Sequence, residues 1–120
     1  MPPSVLHLST YDTNGGAARA AYALHHAMVR AGRDSTMLVA RSGLSDDTVH
    51  VPEGLGRGRL IAAQQLDHLA WRLQTSPNTS WRSPAIFGGV SARAINASAA
   101  DVVNLHWVTD GFLSVREIGR

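Results

Sequence analysis

One stretch of the chain, residues 5–31, restricts the fold more than any other. It begins within a short apolar run, residues 4–8, passes through a polar turn that ends in Asn14, Gly15 and Gly16, and continues as an alanine-rich amphipathic segment. This order is typical of a strand, a glycine turn and a helix. The N–H groups that start a helix have no intrahelical partner and carry the positive end of the helix dipole. The turn therefore predicts a site for an anion, typically a phosphate.

The segments that follow indicate a parallel α/β sheet. A second apolar run, residues 35–40, begins shortly after Gly32, the expected end of the first helix, and residues 48–51 and 100–108 read as further strands. A strand, a helix and a strand with short connections form a right-handed unit whose two strands are parallel. We therefore predict a single Rossmann-like α/β domain over residues 1–120, with about four parallel strands and flanking helices.

The helices are predicted from the spacing of apolar residues. Residues 17–31 place them at helical intervals, and residues 60–73 do so after a flexible, basic segment at residues 54–59. Two shorter helices are expected at residues 91–96 and 112–118. The second of these is expected to be cut by the end of the chain.

A long loop is predicted before the last strand. Residues 75–89 are dense in Pro, Ser and Gly and contain Trp81 and Phe87 as aromatic anchors. A loop of this length inside a compact domain is usually functional or mobile.

The residue types that are missing exclude several kinds of chemistry. The chain has no cysteine, which excludes disulfides, thiolate nucleophiles and cysteine-bound zinc. It also has no lysine, so all 11 basic residues are arginine and a Walker A or Schiff-base lysine is excluded. The net charge is only +2 and the arginines are scattered, so no nucleic-acid partner is expected.

The sequence also lacks the patterns of secretion and of membrane insertion. No apolar run approaches the roughly 18 residues that span a bilayer, and the N-terminus has no basic region followed by a long apolar core. We therefore expect a cytoplasmic location.

The first candidate site residues are Gly15, Gly16 and Arg19. The glycine pair follows a strand at the carboxyl edge of the expected sheet, where open α/β sheets bind ligands, although a sharp turn with positive φ also requires glycine. Arg19 lies near a helix N-terminus, where the dipole disfavours a cation, and is either a phosphate contact or a solvated side chain. Because Arg41 ends the second strand where a dinucleotide site has an acidic residue, an oxidoreductase is not expected.

The second group of candidates lies near the end of the last strand. His106, with Asn104 and Trp107, is expected at the same edge as the glycine turn, where it either faces a ligand or is satisfied by a backbone carbonyl. His25 and His26 point about 100° apart on a helix and cannot chelate one ion together. No metal site is predicted, and packing or surface roles are expected for this pair.

Two further groups of polar residues are not expected to bind a ligand. His7, within the first strand, is predicted to be partly buried and satisfied by neighbours. Asp46 and Asp47 are predicted to be solvated in a loop.

Two blocks of the sequence resemble one known family. Residues 5–39, VLHLSTYDTNGGAARAAYALHHAMVRAGRDSTMLV, are similar to the start of GT-B glycosyltransferases of family 4 (group 1), especially the branch of bacterial polysaccharide and colanic acid biosynthesis. Residues 83–119, SPAIFGGVSARAINASAADVVNLHWVTDGFLSVREIG, resemble the segment of that branch around its Asn-Leu-His-Trp strand. The two blocks keep their order and together cover well over half of the chain.

The resemblance implies a retaining, typically metal-independent transfer of a sugar from a nucleotide-sugar to a saccharide or lipid-linked acceptor. The nucleotide-sugar would be a co-substrate, and no cofactor is expected. By position, Gly15 and Gly16 would face the donor diphosphate, with Arg19 nearby. The cleft wall near the acceptor would include three residues, Asn104, His106 and Trp107.

The same family continues with elements that these 120 residues do not contain, among them a second domain with paired glutamates that hold the nucleotide-sugar. We therefore expect an incomplete GT-B N-terminal domain that is inactive by itself. The longer enzyme would be cytoplasmic and able to lie at the periphery of the inner membrane. The alternative is a non-catalytic binding or oligomerisation module that self-associates through its exposed sheet edge or through residues 81–87.

Overall fold

The computed structural model describes residues 1–73 and 84–120, which form a four-stranded sheet with helices on both faces. The elements, in chain order, are β1 (Val5–Tyr11), α1 (Gly16–Arg30), β2 (Ser35–Arg41), β3 (Val49–His50), α2 (Gly54–Arg72), α3 (Ala92–Asn96), β4 (Val102–Leu105) and α4 (Val115–Ile118). All strand pairs are parallel, which confirms the predicted Rossmann-like α/β fold. The prediction for Trp81 and for most of the long loop lies outside the described residues.

β1 is central in the sheet and longer than predicted. The strand order is β3-β2-β1-β4, so β1 has β2 on one side and β4 on the other. It extends beyond residues 4–8 to Tyr11 because Ser9 and Tyr11 still pair with Val39 and Arg41 of β2. The carboxyl ends of β1, β2 and β4 lie at one edge, and the strand order reverses direction beside β1. This is the place where open α/β sheets form a ligand crevice.

Each face of the sheet has its own apolar core. On the face of α1, the cluster consists of Ala21, Met37 and Val39, with Tyr22, Val49 and Val51 packed against it. The opposite face has the larger cluster, which α2 and the loops around β4 complete: Leu6, Leu8, Ala40, Leu60, Val90, Val108, Phe112 and Leu113. Along β2, Met37 and Val39 join the first cluster, whereas Leu38 and Ala40 pack in the second, as the period of two in a strand requires.

α2 differs from its prediction in its start and in the face it buries. It begins at Gly54, so the basic segment at residues 54–59 is helical and the expectation of a flexible segment there is wrong. The residues that α2 buries are Leu60, Ala63, Gln64 and Asp67. The other leucines of the apolar pattern, Leu66, Leu69 and Leu73, are exposed. Apolar spacing identified the helix, but the tertiary contacts selected a different face.

Two glycines explain why that face is the buried one. A Cβ on Gly89 would lie 2.3 Å from the Cα of Leu60, and a Cβ on Gly111 would lie 2.5 Å from the Cα of Gln64. The backbone of α2 therefore packs directly on two glycine-containing loops. Such an approach requires residues without a side chain.

The last elements are shorter than predicted for a local reason. Phe112 and Leu113 are buried in the larger core, so α4 begins only after Ser114, whose side chain accepts a hydrogen bond from the N–H of Glu117. β4 ends at Leu105, although the N–H of His106 still donates to the carbonyl of Leu8. No helix within residues 1–73 and 84–120 is long and apolar enough to cross a membrane.

We predict that Gly111→Ala destabilises the fold by about 2–3 kcal/mol, since the added Cβ would clash with α2 and the residue has a positive φ. Gly58→Ala is the matched control, because a Cβ there meets nothing within 4 Å inside α2. It should stabilise the fold by about 0.5–1 kcal/mol. Urea unfolding followed by circular dichroism measures both changes. Equal stabilities for the two variants would contradict the close approach.

Candidate functional site

A cleft of about 560 Å³ lies at the carboxyl edge of the sheet, between the strand ends and α2. Strand ends, the glycine turn, α2 and the segment after β4 all contribute to it. Its lining consists of Tyr11, Asn14, Gly15, Arg41, Ile61, Gln64, Gln65, His68, Trp107 and Asp110. This is the position that the strand order predicts for a ligand.

The glycine turn leaves the start of α1 open beside the cleft. Gly15 is the N-cap residue, its φ is +91°, and no side chain caps the helix. The first turn of α1 also contains no acidic residue. The unpaired N–H groups and the dipole therefore make this end of the helix positive.

A buried carboxylate holds the glycine turn in place. Asp12 accepts hydrogen bonds from the hydroxyl of Ser42 (2.5 Å) and from the N–H of Gly43 (2.9 Å). An added Cβ on Gly43 would lie 2.5 Å from Oγ1 of Thr13, so a larger residue there would displace the side chain of Thr13. The turn after β1 is thus fixed to the loop after β2, which brings Gly15 and Arg41 to the same cleft.

Arg41 gives the cleft a cationic side chain. It is the last residue of β2, it is exposed, and it lies opposite Tyr11 in the strand register. The ring of Tyr11 is tilted against that of Trp107, with 6.1 Å between their centroids. One wall of the cleft therefore combines a guanidinium group with two aromatic rings.

Asp110 connects three parts of the cleft. Its carboxylate accepts a hydrogen bond from the hydroxyl of Tyr11 (2.5 Å), and its other oxygen lies 3.1 Å from Nε2 of His68 on α2. Asp110 is buried, and its backbone φ is +63°. Burial, together with the hydrogen bond to Asp110, raises the pKa of Tyr11 to about 12, so this hydroxyl stays protonated as a donor.

Thr10 fixes the segment that carries Trp107 and Asp110. Its N–H donates to the carbonyl of Trp107 (2.8 Å), and its hydroxyl donates to the carbonyls of Trp107 (3.0 Å) and Thr109 (2.7 Å). Because Thr10 lies in β1, the segment is held against the central strand. The positions of Trp107 and Asp110 in the cleft are therefore set by the sheet.

A separate group of histidines lies on the face of the sheet that α1 covers. Nδ1 of His7 is 2.9 Å from Nε2 of His106, and the two rings are stacked with centroids 5.2 Å apart. The ring of His25 meets that of His7 edge-on at 5.7 Å. One of these two nitrogens carries a proton and donates it to the other, because two N–H groups facing each other at this distance could not form a hydrogen bond. Nε2 of His7 is buried and has no hydrogen-bond partner among the described residues.

The structure separates the residues that the sequence suggested as one site. Gly15 and Trp107 line the cleft, and Gly16 follows directly as the first residue of α1. Arg19 is exposed on the first turns of α1 and is not among the described residues that line the cleft. Its contact with a phosphate stays a prediction.

Two candidates of the second group lie away from the cleft. Asn104 is within β4, opposite His7 in the register, and the side chain of His106 contacts His7 on the face of α1. Among the residues that the structure describes, neither lines the cleft. Their contact with an acceptor also stays a prediction.

Sequence reasoning missed most of the polar lining. Arg41 had a detectable signal, because it ends a strand at the carboxyl edge. The positions of Ile61, Gln64, Gln65 and His68 in α2 are those of one helical face, which is also visible in the sequence. The sequence alone does not show that this face of α2 points toward the ends of the strands.

Other structural expectations have mixed outcomes. His25 is buried and bonded to the hydroxyls of Ser35 and Thr48, both at 2.8 Å, which confirms its packing role. Asp46 is not simply solvated, which corrects the prediction. It accepts hydrogen bonds from the side chain and the N–H of Thr48 and from the hydroxyl of Tyr22, and these lower its pKa to about 2.

The cleft can bind an anion through Arg41 and the start of α1, and hydroxyl groups through its amide, imidazole and carboxylate side chains. Within the described part of the chain, no group of three or more His, Asp or Glu side chains is placed to hold a metal ion. No family model, curated protein or solved structure matches the chain. Its function is therefore inferred from the fold and the cleft.

Acidification is predicted to destabilise the fold between pH 6.5 and 4. Burial, followed by the charges of His106 and His25, lowers the pKa of His7 from 6.5 to about 4. In this range the unfolded chain binds a proton that the folded chain does not. The contribution of His7 is therefore complete above pH 6.5 and is lost as the pH falls, by an amount on the order of 3 kcal/mol.

Urea unfolding at about pH 7 and about pH 5 measures the larger part of this loss, about 2 kcal/mol. His7→Gln should reduce the dependence on pH, whereas His50→Gln, at an exposed position, should retain it. A wild-type chain with the same stability at both pH values would contradict the buried neutral histidine.

Proposed function

We propose that the chain is the acceptor-side part of a retaining GT-B glycosyltransferase of family 4, of the branch that builds bacterial polysaccharides. Its substrates would be a nucleotide-sugar and a saccharide or lipid-linked acceptor. One observation carries the proposal: anion-binding groups, aromatic rings and amide side chains line a single cleft at the carboxyl edge of a parallel sheet. The resemblance of the two sequence blocks agrees with it.

The donor diphosphate is assigned to the side of the cleft formed by Gly15 and Arg41. A guanidinium group binds phosphate oxygens through two parallel hydrogen bonds, and the uncapped start of α1 adds N–H donors and positive charge. Both lie at the same opening. The proposal thus replaces Arg19 with Arg41 as the principal cation.

The sugar units are assigned to the side formed by Trp107, Tyr11 and α2. A sugar ring has C–H faces that pack on aromatic rings and hydroxyl edges that hydrogen-bond to amides. Trp107 and Tyr11 supply the rings, and Gln64 and Gln65 supply the amides. The cleft of about 560 Å³ has the size of a small-molecule site.

The cleft is proposed to bind without catalysing transfer by itself. Its only carboxylate among the described lining residues, Asp110, is already bonded to Tyr11 and to His68. Stabilising the charge that develops on the sugar and on the leaving diphosphate requires several preorganised groups. In the proposed enzyme, residues beyond this cleft hold the nucleotide and supply them.

Titration with a nucleoside diphosphate tests the proposal. We predict that amide signals of Gly15 and Gly16 and the indole signal of Trp107 shift in ¹⁵N-resolved NMR spectra. Arg41→Gln should weaken the affinity about 10- to 100-fold, since it removes charge-assisted hydrogen bonds. Isothermal titration calorimetry gives the affinities.

Arg33→Gln is the matched control. Arg33 is an exposed arginine that precedes β2, at the opposite edge of the sheet from Arg41, so its replacement should leave the affinity unchanged. Absence of shifts up to millimolar diphosphate, or equal losses in the two variants, would overturn the assignment of the diphosphate.

A second candidate function, a self-associating module, is favoured by the free edge of β4. Among the residues that the structure describes, this strand pairs only with β1, and its side chains Val102, Val103 and Leu105 are exposed. An unpaired apolar edge strand is a template for another chain. The partner would then be a second copy, and the cleft would have no catalytic role.

Light scattering distinguishes this candidate. We predict that, if the edge is an interface, the chain forms a dimer that Val103→Lys converts to a monomer, because a charge on an edge strand blocks pairing. Leu24→Lys, at an exposed position of α1, should leave the dimer intact. A wild-type chain that is monomeric at high concentration would exclude the second candidate.

A further inference from the structure

A second cavity, of about 380 Å³, adjoins the cleft where β2 ends. Arg41, Ile61 and Gln64 line both spaces, whereas Gly15 and Trp107 are lining residues of the cleft and not of the second cavity. A ligand that lies in the cleft can therefore extend past the three shared residues. We call the second cavity the side cavity, and the rest of its described lining consists of Ala40, Ser42, Val51, Arg57 and Leu60.

α2 contributes a second cation to the side cavity. Arg57 precedes Ile61 by four residues and Gln64 by seven, so the three side chains share one face of the helix. Arg57 is exposed, as is Arg41 at the end of β2. The side cavity thus has one guanidinium group on the wall formed by the sheet and another on the wall formed by α2.

No acidic side chain pairs with these two arginines in the described part of the chain. Neither Arg41 nor Arg57 forms an ion pair there, and the described lining of the side cavity contains no carboxylate. Asp12, in the turn after β1, directs its two oxygens to the hydroxyl of Ser42 and the N–H of Gly43 instead. Two like charges that line one cavity without an acid repel each other and favour the entry of an anion.

The remaining wall of the side cavity is largely apolar. It is formed by the side chains of Ala40, Val51, Leu60 and Ile61. Apolar walls with a few converging polar groups are typical of small-molecule sites, and the volume lies in their usual range. A ring with C–H faces and one charged group matches this lining better than a small hydrated ion does, because such an ion leaves the apolar wall without a contact.

We propose that the side cavity binds an anionic sugar unit of the acceptor, whose carboxylate or phosphate group is held by Arg57. This inference rests on the proposed function, since it extends the sugar side of the cleft. Gln64 lines both spaces, so one sugar unit can bond to its amide while the next unit reaches Arg57. A guanidinium group forms paired hydrogen bonds with a carboxylate or a phosphate. Arg57 therefore selects acidic acceptors over neutral ones.

The donor diphosphate is the other anion that could reach Arg57. It is assigned to Arg41 and to the uncapped start of α1, and Gly15 at that start is not a described lining residue of the side cavity. A diphosphate beside Gly15 engages Arg41 and leaves Arg57 for a different anion. The two arginines should therefore affect different ligands, which single variants can separate.

Calorimetric titration of the intact chain with three matched sugars tests the inference. They are methyl glucoside, methyl glucuronide and methyl glucoside 6-phosphate, all at the same ionic strength. We expect an anionic sugar to bind about tenfold more tightly than the neutral one, and the tighter of the two identifies the anion. Arg57→Gln should abolish this preference without changing the affinity for the neutral sugar. Arg57→Lys should retain part of it, because the charge remains and the paired hydrogen bonds are lost.

Arg72→Gln is the matched control. Arg72 is an exposed arginine of α2 that is not a described lining residue of the cleft or of the side cavity, so this variant should bind all three sugars as the wild type does. Circular dichroism should show that every variant is folded, as expected because the altered side chains are exposed.

A nucleoside diphosphate is the second probe, and it separates this inference from the assignment of the donor. Arg57→Gln should leave its affinity unchanged, whereas Arg41→Gln should weaken it. Equal affinities of the wild type for the three sugars, with the diphosphate bound, overturn the inference and not the donor site. A loss of diphosphate affinity in Arg57→Gln as large as that in Arg41→Gln also overturns it. A preference for an anionic sugar that depends on Arg57 supports it, even if the diphosphate does not bind.

Discussion

The structure depends on β1, a strand that pairs with a neighbouring strand at each edge and is buried on both of its faces. β1 pairs with β2 and β4, and it buries Leu6 and Leu8 toward one core and His7 toward α1. Its last residues and Asp12, which follows it, then organise the cleft. Thr10 holds the segment of Trp107, Tyr11 bonds to Asp110, and Asp12 anchors the glycine turn. Core and site thus share one strand, so a change that shifts β1 moves both.

α2 is the second organising element, and it has three different faces. One face packs on the backbone of Gly89 and Gly111, where no side chain fits between helix and loop. A second face presents Ile61, Gln64 and His68 to the cleft. The third carries Leu66 and Leu69, which remain exposed. Because the helix is rigid, the contact with the two glycines determines the direction of the other two faces at the same time.

The histidines show how a polar group can be part of a core. His25 uses both ring nitrogens on hydroxyl partners, and its burial lowers its pKa. His7 shares a proton with His106 and leaves one nitrogen without a partner among the described residues. These neutral imidazoles link the stability of the α1 face to pH. They also explain why His106 lies away from the cleft although its neighbour Trp107 lines it.

Local patterns in the sequence were enough to predict three features. The parallel strands follow from the apolar period and the chain connectivity, and the start of α1 follows from the glycine turn. The cleft at the carboxyl edge follows from the parallel order of the strands. Gly15 and Trp107 belong to this predictable part. The membership of Arg41, Gln64, His68 and Asp110 in one cleft was decided only by tertiary structure. Helical spacing shows which residues share a face of α2, whereas the direction of that face depends on where loops distant in sequence, those of Gly89 and Gly111, allow the helix to approach.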